Sequence, residues 1–373
     1  MKTAAFLLAL ASGTAFAAPF TAGNLLVYRV GANNGTETIS SAGTAVFIDE
    51  WTASGSYVQS INTGVFAAGN STSEGQLSRS ANGQYVTFAG YASAAVTIAG
   101  TAGTTINRTV SVLTSSGTVT TTNFTDFASG GNPRAATTTN GTDFWMVGGQ
   151  GGVRYGTSAG GTSIQLSTTI TNIRSVEIAN DQLYVSALTG AFRLATVGTG
   201  VPTTSGNTIT NLPGYTTGGG SPYDFAFADL SPSVAGVDTV YVADDGAGQI
   251  QKYSLVGGNW TASGSVTGAT GVRGLTVSVN GDDVRVFGSA GGASTGSVYS
   301  FIDATGYNSA ISGSATLLFS NTTLKDALGS AGTNFIFRGI SFAPVSAIPE
   351  PSSLATLTGL GALVLTVSRR RRA

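Results

Sequence analysis

Four arginines of this 373-residue chain stand at matching places. Arg134 and Arg174 each lie six residues before an asparagine, Asn140 and Asn180, that opens a two-residue turn. Arg273 lies seven before Asn280, and Arg338 opens the last strand-like segment before the C-terminal tail. A guanidinium is a planar fork of donors that grips a carboxylate through parallel hydrogen bonds and stacks on aromatic or sugar faces. A ring of them at one mouth of a channel would bind an anion or an acidic polysaccharide. The commoner role is plainer: each arginine bonds carbonyls or acidic side chains of neighbouring segments and holds the structure closed. Arg79 lies only three residues before Asn82, which suits a different direction, and one further segment carries Tyr223-Asp224 where the others carry arginine.

Other chemistries find little support. The chain has no cysteine and no histidine. Disulfides and thiolate catalysis are therefore excluded, and with them the usual general base and the commonest zinc ligand. A Ser-His-Asp hydrolase cannot be built. Asp244-Asp245 and Asp282-Asp283 fall in tight turns, where Asp serves the backbone, and neither sits in a calcium-loop pattern. Paired-carboxylate hydrolysis needs two acids facing one cleft. The body offers the glutamates Glu37, Glu50, Glu74 and Glu177, and sequence alone does not place any two together. Gly148-Gly149-Gln150-Gly151-Gly152 lacks the Lys-Ser/Thr ending and following helix of a phosphate loop and reads as a hairpin turn. No catalytic residue, metal site or cofactor is expected. Five of the 17 basic residues (Lys2 and Arg369 to Arg372) and one of the 18 acidic ones (Glu350) lie in the two ends, so the body carries about −5. That leaves no electrostatic footprint for nucleic acid.

The elements that must position such a ring are short strands. With 53 Gly, 9% charged residues and 41% hydrophobic residues, the chain suits strands joined by tight turns better than long helices, and it has enough apolar mass for a core. Asn82-Gly83, Asn140-Gly141, Asn180-Asp181 and Asn280-Gly281 share one plan, a turn suited to positive φ followed by an aromatic-rich strand. Their mean spacing, near 50 residues, is that of four-stranded propeller blades. Leu25 to Val30, Val46 to Glu50 and Tyr57 to Ile61 read as three strands lacking an innermost partner, and Phe337 to Phe342 reads as that partner. The expected fold is all-β, a single β-propeller of six four-stranded blades over residues 18–346, or seven if Ser289 to Asn334 hides extra strands. Between Asp238 and Leu255, Thr239 to Ala243, the turn Asp244-Asp245-Gly246 and Gln249 to Ser254 resemble the central part of an NHL-type propeller repeat.

The two ends carry addresses. Lys2, the apolar run Ala4 to Ala11 and Ala15-Phe16-Ala17 have the order of a secretory signal peptide, a helix over residues 1–17 cut after Ala17. Residues 347–373 hold Pro349-Glu350-Pro351, an apolar stretch from Leu354 to Val367 read as a hydrophobic transmembrane helix, and Arg369, Arg370, Arg371 and Arg372, which would stay cytoplasmic. This tripartite end resembles the PEP-CTERM sorting signal. The resemblance implies an exosortase as partner, transient anchoring in the inner membrane, and delivery to the cell surface or outside, commonly in bacteria that make exopolysaccharide. The expected function is an exported, surface-directed, non-catalytic propeller that binds or builds in the envelope or exopolysaccharide matrix. The alternative is an extracellular hydrolase or lyase using carboxylates or a metal. Lyase and lactonase propellers are similar in layout, but the lyase kind relies on histidine, and no metal motif of the lactonase kind is found here.

Overall fold

The computed structural model describes residues 18–215, 220–292 and 296–347. The expected signal peptide, the Pro349-Glu350-Pro351 motif, the hydrophobic helix of the tail and its four arginines lie outside the described residues. Among those described, no helix is long and apolar enough to cross a membrane.

Strands β1 (Leu25–Val30), β2 (Gly43–Trp51) and β3 (Tyr57–Ala68) form an antiparallel meander, followed by β4 (Leu77–Arg79), β5 (Tyr85–Tyr91), β6 (Arg108–Thr114) and β7 (Val119–Phe124). A separate four-stranded sheet comes next, from β8 (Pro133–Thr138), β9 (Asp143–Gly148), β10 (Arg154–Thr157) and β11 (Ile164–Gln165). The third sheet is β12 (Ser175–Ala179), β13 (Gln182–Thr189), β14 (Phe192–Val197) and β15 (Ile209–Asn211). The fourth is β16 (Pro222–Ala228), β17 (Thr239–Asp244), β18 (Gln249–Val256) and β19 (Asn259–Val266). The fifth is β20 (Val272–Asn280), β21 (Asp283–Gly291), β22 (Gly296–Asp303) and β23 (Thr316–Ser320). A short helix, α1 (Asn321–Leu328), leads to β24 (Ile336–Phe342), which returns to β1 with Leu25 opposite Phe342 and Val30 opposite Ile336.

The fold is thus all-β and propeller-like, closed by strands from both ends of the body. The expected count of six or seven separate blades is corrected: four sheets are separate four-stranded blades, and the other eight strands make one sheet, in the order β24-β1-β2-β3-β5-β6-β7 with β4 on β5. The cause is the length of β3. It runs on beyond Ile61 to Ala68, and Phe66 pairs with Tyr91 of β5, a single pair that fuses the two halves. The stretch that had room for a seventh blade holds β22, β23 and α1 instead.

Six innermost strands surround one axis. Each of β4, β8, β12, β16 and β20 touches the next, and β20 and β4 both touch β24. They approach closely: a Cβ on Gly339 would come within 2.4 Å of Leu77 N, and one on Gly274 within 2.8 Å of Gly339 Cα. The core lies between successive sheets. Trp145, Val147 and Ile173 pack with Leu183, Val185 and Ala195 between the β8 and β12 sheets; Tyr184 and Leu194 pack with Phe225, Val242 and Trp260 on the next. Across the closing seam Trp51 stacks on Phe319 with ring centroids 3.9 Å apart. Each such large apolar side chain contributes about 1.5–3 kcal/mol on burial. The turns behave as their residues demand: Asn180 and Asp181 both have positive φ, 45° and 55°, which lets β12 fold back directly on β13.

Candidate functional site

The starts of the innermost strands bring the four expected arginines to one mouth of the ring. Arg134, the second residue of β8, donates from Nη1 to Asn172 Oδ1 (2.6 Å) and to the Ile173 carbonyl (3.0 Å). Arg174, just before β12, donates to Ser221 Oγ (2.8 Å) and lies 3.2 Å from Asp245 Oδ1. Arg273, second in β20, sits 2.9 Å from Asp245 Oδ2 and donates to the Thr72 carbonyl. Arg338, third in β24 and only 4% exposed, donates to the Gly69 carbonyl at 3.1 Å.

Tyr223 forms the hub. The guanidinium carbons of Arg174 and Arg273 each lie 4.9 Å from its ring centroid. Burial raises its phenol above the ordinary value, while Arg134, Arg273 and Arg174 pull the other way. Charge is unevenly matched. Asp245 pairs with two of the arginines. Glu74 lies close enough to Arg338 to act on it, but spends its oxygens on Ala68 N (2.9 Å), Tyr91 Oη (3.1 Å) and Asn132 Nδ2 (2.6 Å). Burial pushes Glu74 up to about 7 against those donors and Arg338, and pulls Arg338 down to about 10 with Glu74 opposing. Four donors at this mouth are buried and have no partner among the described residues: Arg134 Nε, Arg338 Nε, Arg338 Nη1 and Tyr223 Oη. Arg273 and Arg174 keep 27% and 16% of their side-chain surface in solvent.

Below this mouth two acids meet in the channel. Ser175 Oγ (2.7 Å) and Leu275 N (2.9 Å) donate to the fully buried Asp224, and Ser78 Oγ lies 3.0 Å from Glu177 Oε2. Burial lifts both carboxyls, and the charge of Asp224 lifts Glu177 further. The topology makes the pairing that linear spacing hid, since Glu177 and Asp224 sit on adjacent innermost strands, β12 and β16.

Three members of the mouth escaped the sequence reading. The position six before Asn82 is Gln76, on the same count that found Arg134 and Arg174; it is 2% exposed, its Oε1 has no partner and its N donates to the Arg134 carbonyl. Glu74, just before β4, was seen only as one of the body's glutamates. Asp245 was seen only as a turn residue. Its neighbour Asp244 has that role, accepting from Gly246 N and Ala247 N, both at 3.1 Å, whereas Asp245 holds two arginines. Arg79 does point elsewhere. It ends β4 and lines the opposite mouth, with Ala179, Phe227, Val277 and Phe342.

No family profile matches the chain, and no curated protein matches it. Among solved structures it is similar to a candidate 6-phosphogluconolactonase of Bacteroides fragilis, at 15% identity over 80% of this chain and 82% of that one, with a TM-score of 0.46. A second such protein, from Bacteroides uniformis, is 12% identical over 79% and 82%, with a TM-score of 0.43. Hydrazine synthase of Kuenenia stuttgartiensis is 12% identical over 63% of this chain and 68% of that one, at 0.36. The class that fold and site define is a propeller-like protein with an arginine-lined mouth, and the site is read from its own residues.

Proposed function

We propose that this chain is an exported, non-catalytic propeller that uses its arginine mouth to bind acidic groups of an extracellular polysaccharide. The carrying observation is the gathering of Arg134, Arg174, Arg273 and Arg338 around Tyr223 with four buried donors unspent. A carboxylate or sulfate entering there would be met by charge-assisted hydrogen bonds and would desolvate few groups already paired. The destination rests on the sequence of the two ends. The signal segment would direct export, and the PEP-CTERM-like tail would hold the body at the inner membrane until an exosortase acts on Pro349-Glu350-Pro351.

The test is binding of the purified chain to acidic and neutral polysaccharides, beside the variant carrying Arg134→Ala, Arg174→Ala, Arg273→Ala and Arg338→Ala. Saturable binding to an acidic glycan that weakens with salt, and that the folded variant loses by at least tenfold, is the expected result. Loss of folding without any wild-type binding would make the arginines structural.

One observation favours a second reading. Glu177 and Asp224 form a carboxyl pair inside the channel, the minimum for acid–base cleavage of a glycan. Under that reading the chain shortens an oligosaccharide and Glu177→Gln abolishes the shortening; under the binding reading neither protein does.

A further inference from the structure

The opposite mouth has its own character and takes no part in binding at the arginine mouth. A cavity of about 250 Å³ opens there at the ends of the innermost strands, walled by Ile178, Phe225, Phe227, Leu275, Val277 and Phe342, with Glu177 at one side. A second hollow, of about 440 Å³, shares Arg79, Val277 and Phe342 with it and runs outward to Arg285 and Phe287. The two make one groove, lined largely by apolar side chains along the first hollow and more polar along the second.

Arg79 stands where they meet. Its Nε is buried without a hydrogen-bond partner, and no ion pair reaches the side chain among the described residues. Burial lowers its hold on the proton, and no carboxylate offsets the effect. Arg285, at the far end, donates Nη2 to the Ala53 carbonyl at 2.7 Å and stacks over Phe287, again without an acid among the described residues. Glu177 does not supply the missing counter-charge, because it is held against Ser78 and shares the channel interior with Asp224. A half-buried, unpaired guanidinium against hydrocarbon walls is complementary to one kind of small molecule.

We infer that this groove is a binding site for an organic carboxylate with an apolar body, the carboxylate on Arg79 and the body along Phe227, Val277 and Phe342. The site is separate from the arginine mouth and does not depend on it. Cations are disfavoured by Arg79 and Arg285, and a bare inorganic anion would leave the walls unused.

The experiment titrates the full chain calorimetrically with 4-phenylbutanoate, 4-phenylbutylamine and inorganic phosphate. It is repeated on Arg79→Gln, on Ala179→Leu, which narrows the cavity, and on the fourfold arginine variant of the other mouth. The expected result is saturable binding of 4-phenylbutanoate, at least tenfold weaker in Arg79→Gln and in Ala179→Leu, unchanged in the fourfold variant, with neither the amine nor phosphate competing. The Arg79 side chain makes no hydrogen bond among the described residues, so Arg79→Gln should unfold at the wild-type urea concentration. Absence of binding, equal binding by Arg79→Gln, equal binding of the amine, or loss only in the fourfold variant would each overturn the assignment.

Discussion

Tyr223 distinguishes a ligand role from a structural one more sharply than any arginine around it. Its hydroxyl is buried and has no partner among the described residues, so Tyr223→Phe removes a polar atom that the described chain does not use. Replacing an unsatisfied buried group by an apolar one of the same shape is nearly neutral or stabilising. Chemical unfolding of Tyr223→Phe should therefore shift by less than about 1 kcal/mol, while affinity for an acidic glycan should drop severalfold if, as proposed, the hydroxyl donates to the ligand. Arg338→Met makes the companion case. Combined with Glu74→Gln, so that no buried acid is left without its counter-charge, it gives up one hydrogen bond to Gly69 and three costly unpaired or desolvated N–H groups, so stability should hold or rise as glycan affinity falls. Stability lost in step with affinity in both variants would show that these residues serve the ring. What sequence supplied at this scale was the arginines, because a repeated offset from a turn survives in one dimension. Gln76 obeyed the same offset, but an amide draws no notice in a count of charges. Asp245 was hidden because turns are rich in Asp for backbone reasons, and only its partners in three dimensions separate it from Asp244.

The innermost strands set two further expectations. Gly339 lies so close to the neighbouring strand that a methyl group there would meet Leu77 N at 2.4 Å and Gly75 O at 2.6 Å, both backbone atoms. Gly339→Ala should cost more than about 2 kcal/mol, read from the urea midpoint. The acids on β12 and β16 predict a pH effect whose sign is fixed. Folding raises the affinity of Glu177 and Asp224 for protons, so their contribution to stability is complete at acid pH and is lost as pH rises from the ordinary carboxylate range through their raised values. Between pH 5 and 8 the wild type should become easier to unfold in urea. Glu177→Gln, which removes one titrating group and the repulsion between the two, should flatten that slope; an unchanged slope would show that both acids are charged or solvated when folded. The sequence made these strands legible through their Asn-Gly and Asn-Asp turns. It left the pairing of their acids unreadable, since residues 177 and 224 become neighbours only when one sheet packs on the next.

For the whole molecule, closure was legible and sheet count was not. The unpaired look of Leu25 to Val30 and of Phe337 to Phe342 follows from strand grammar, and β24 does seat on β1. The fusion of two sheets through Phe66 and Tyr91 depends on how far β3 overshoots, which no local pattern records. Across the closing seam Trp51 stacks on Phe319, so Trp51→Ala should destabilise the ring by about 3–5 kcal/mol, measured by thermal or urea unfolding. Closure also sets where the ends of the described chain lie. The described chain leaves the ring beside Asn24, Gly83 and Ser115, where Ala343, Val345 and Ser346 make their last hydrogen bonds, and Gly23 and Ala343 border the Arg79 groove. Both ends of the described chain therefore lie on the groove side. Under the proposed anchoring through the tail, the groove would be turned toward the membrane and the arginine mouth displayed outward, like the open end of a cup standing on its base.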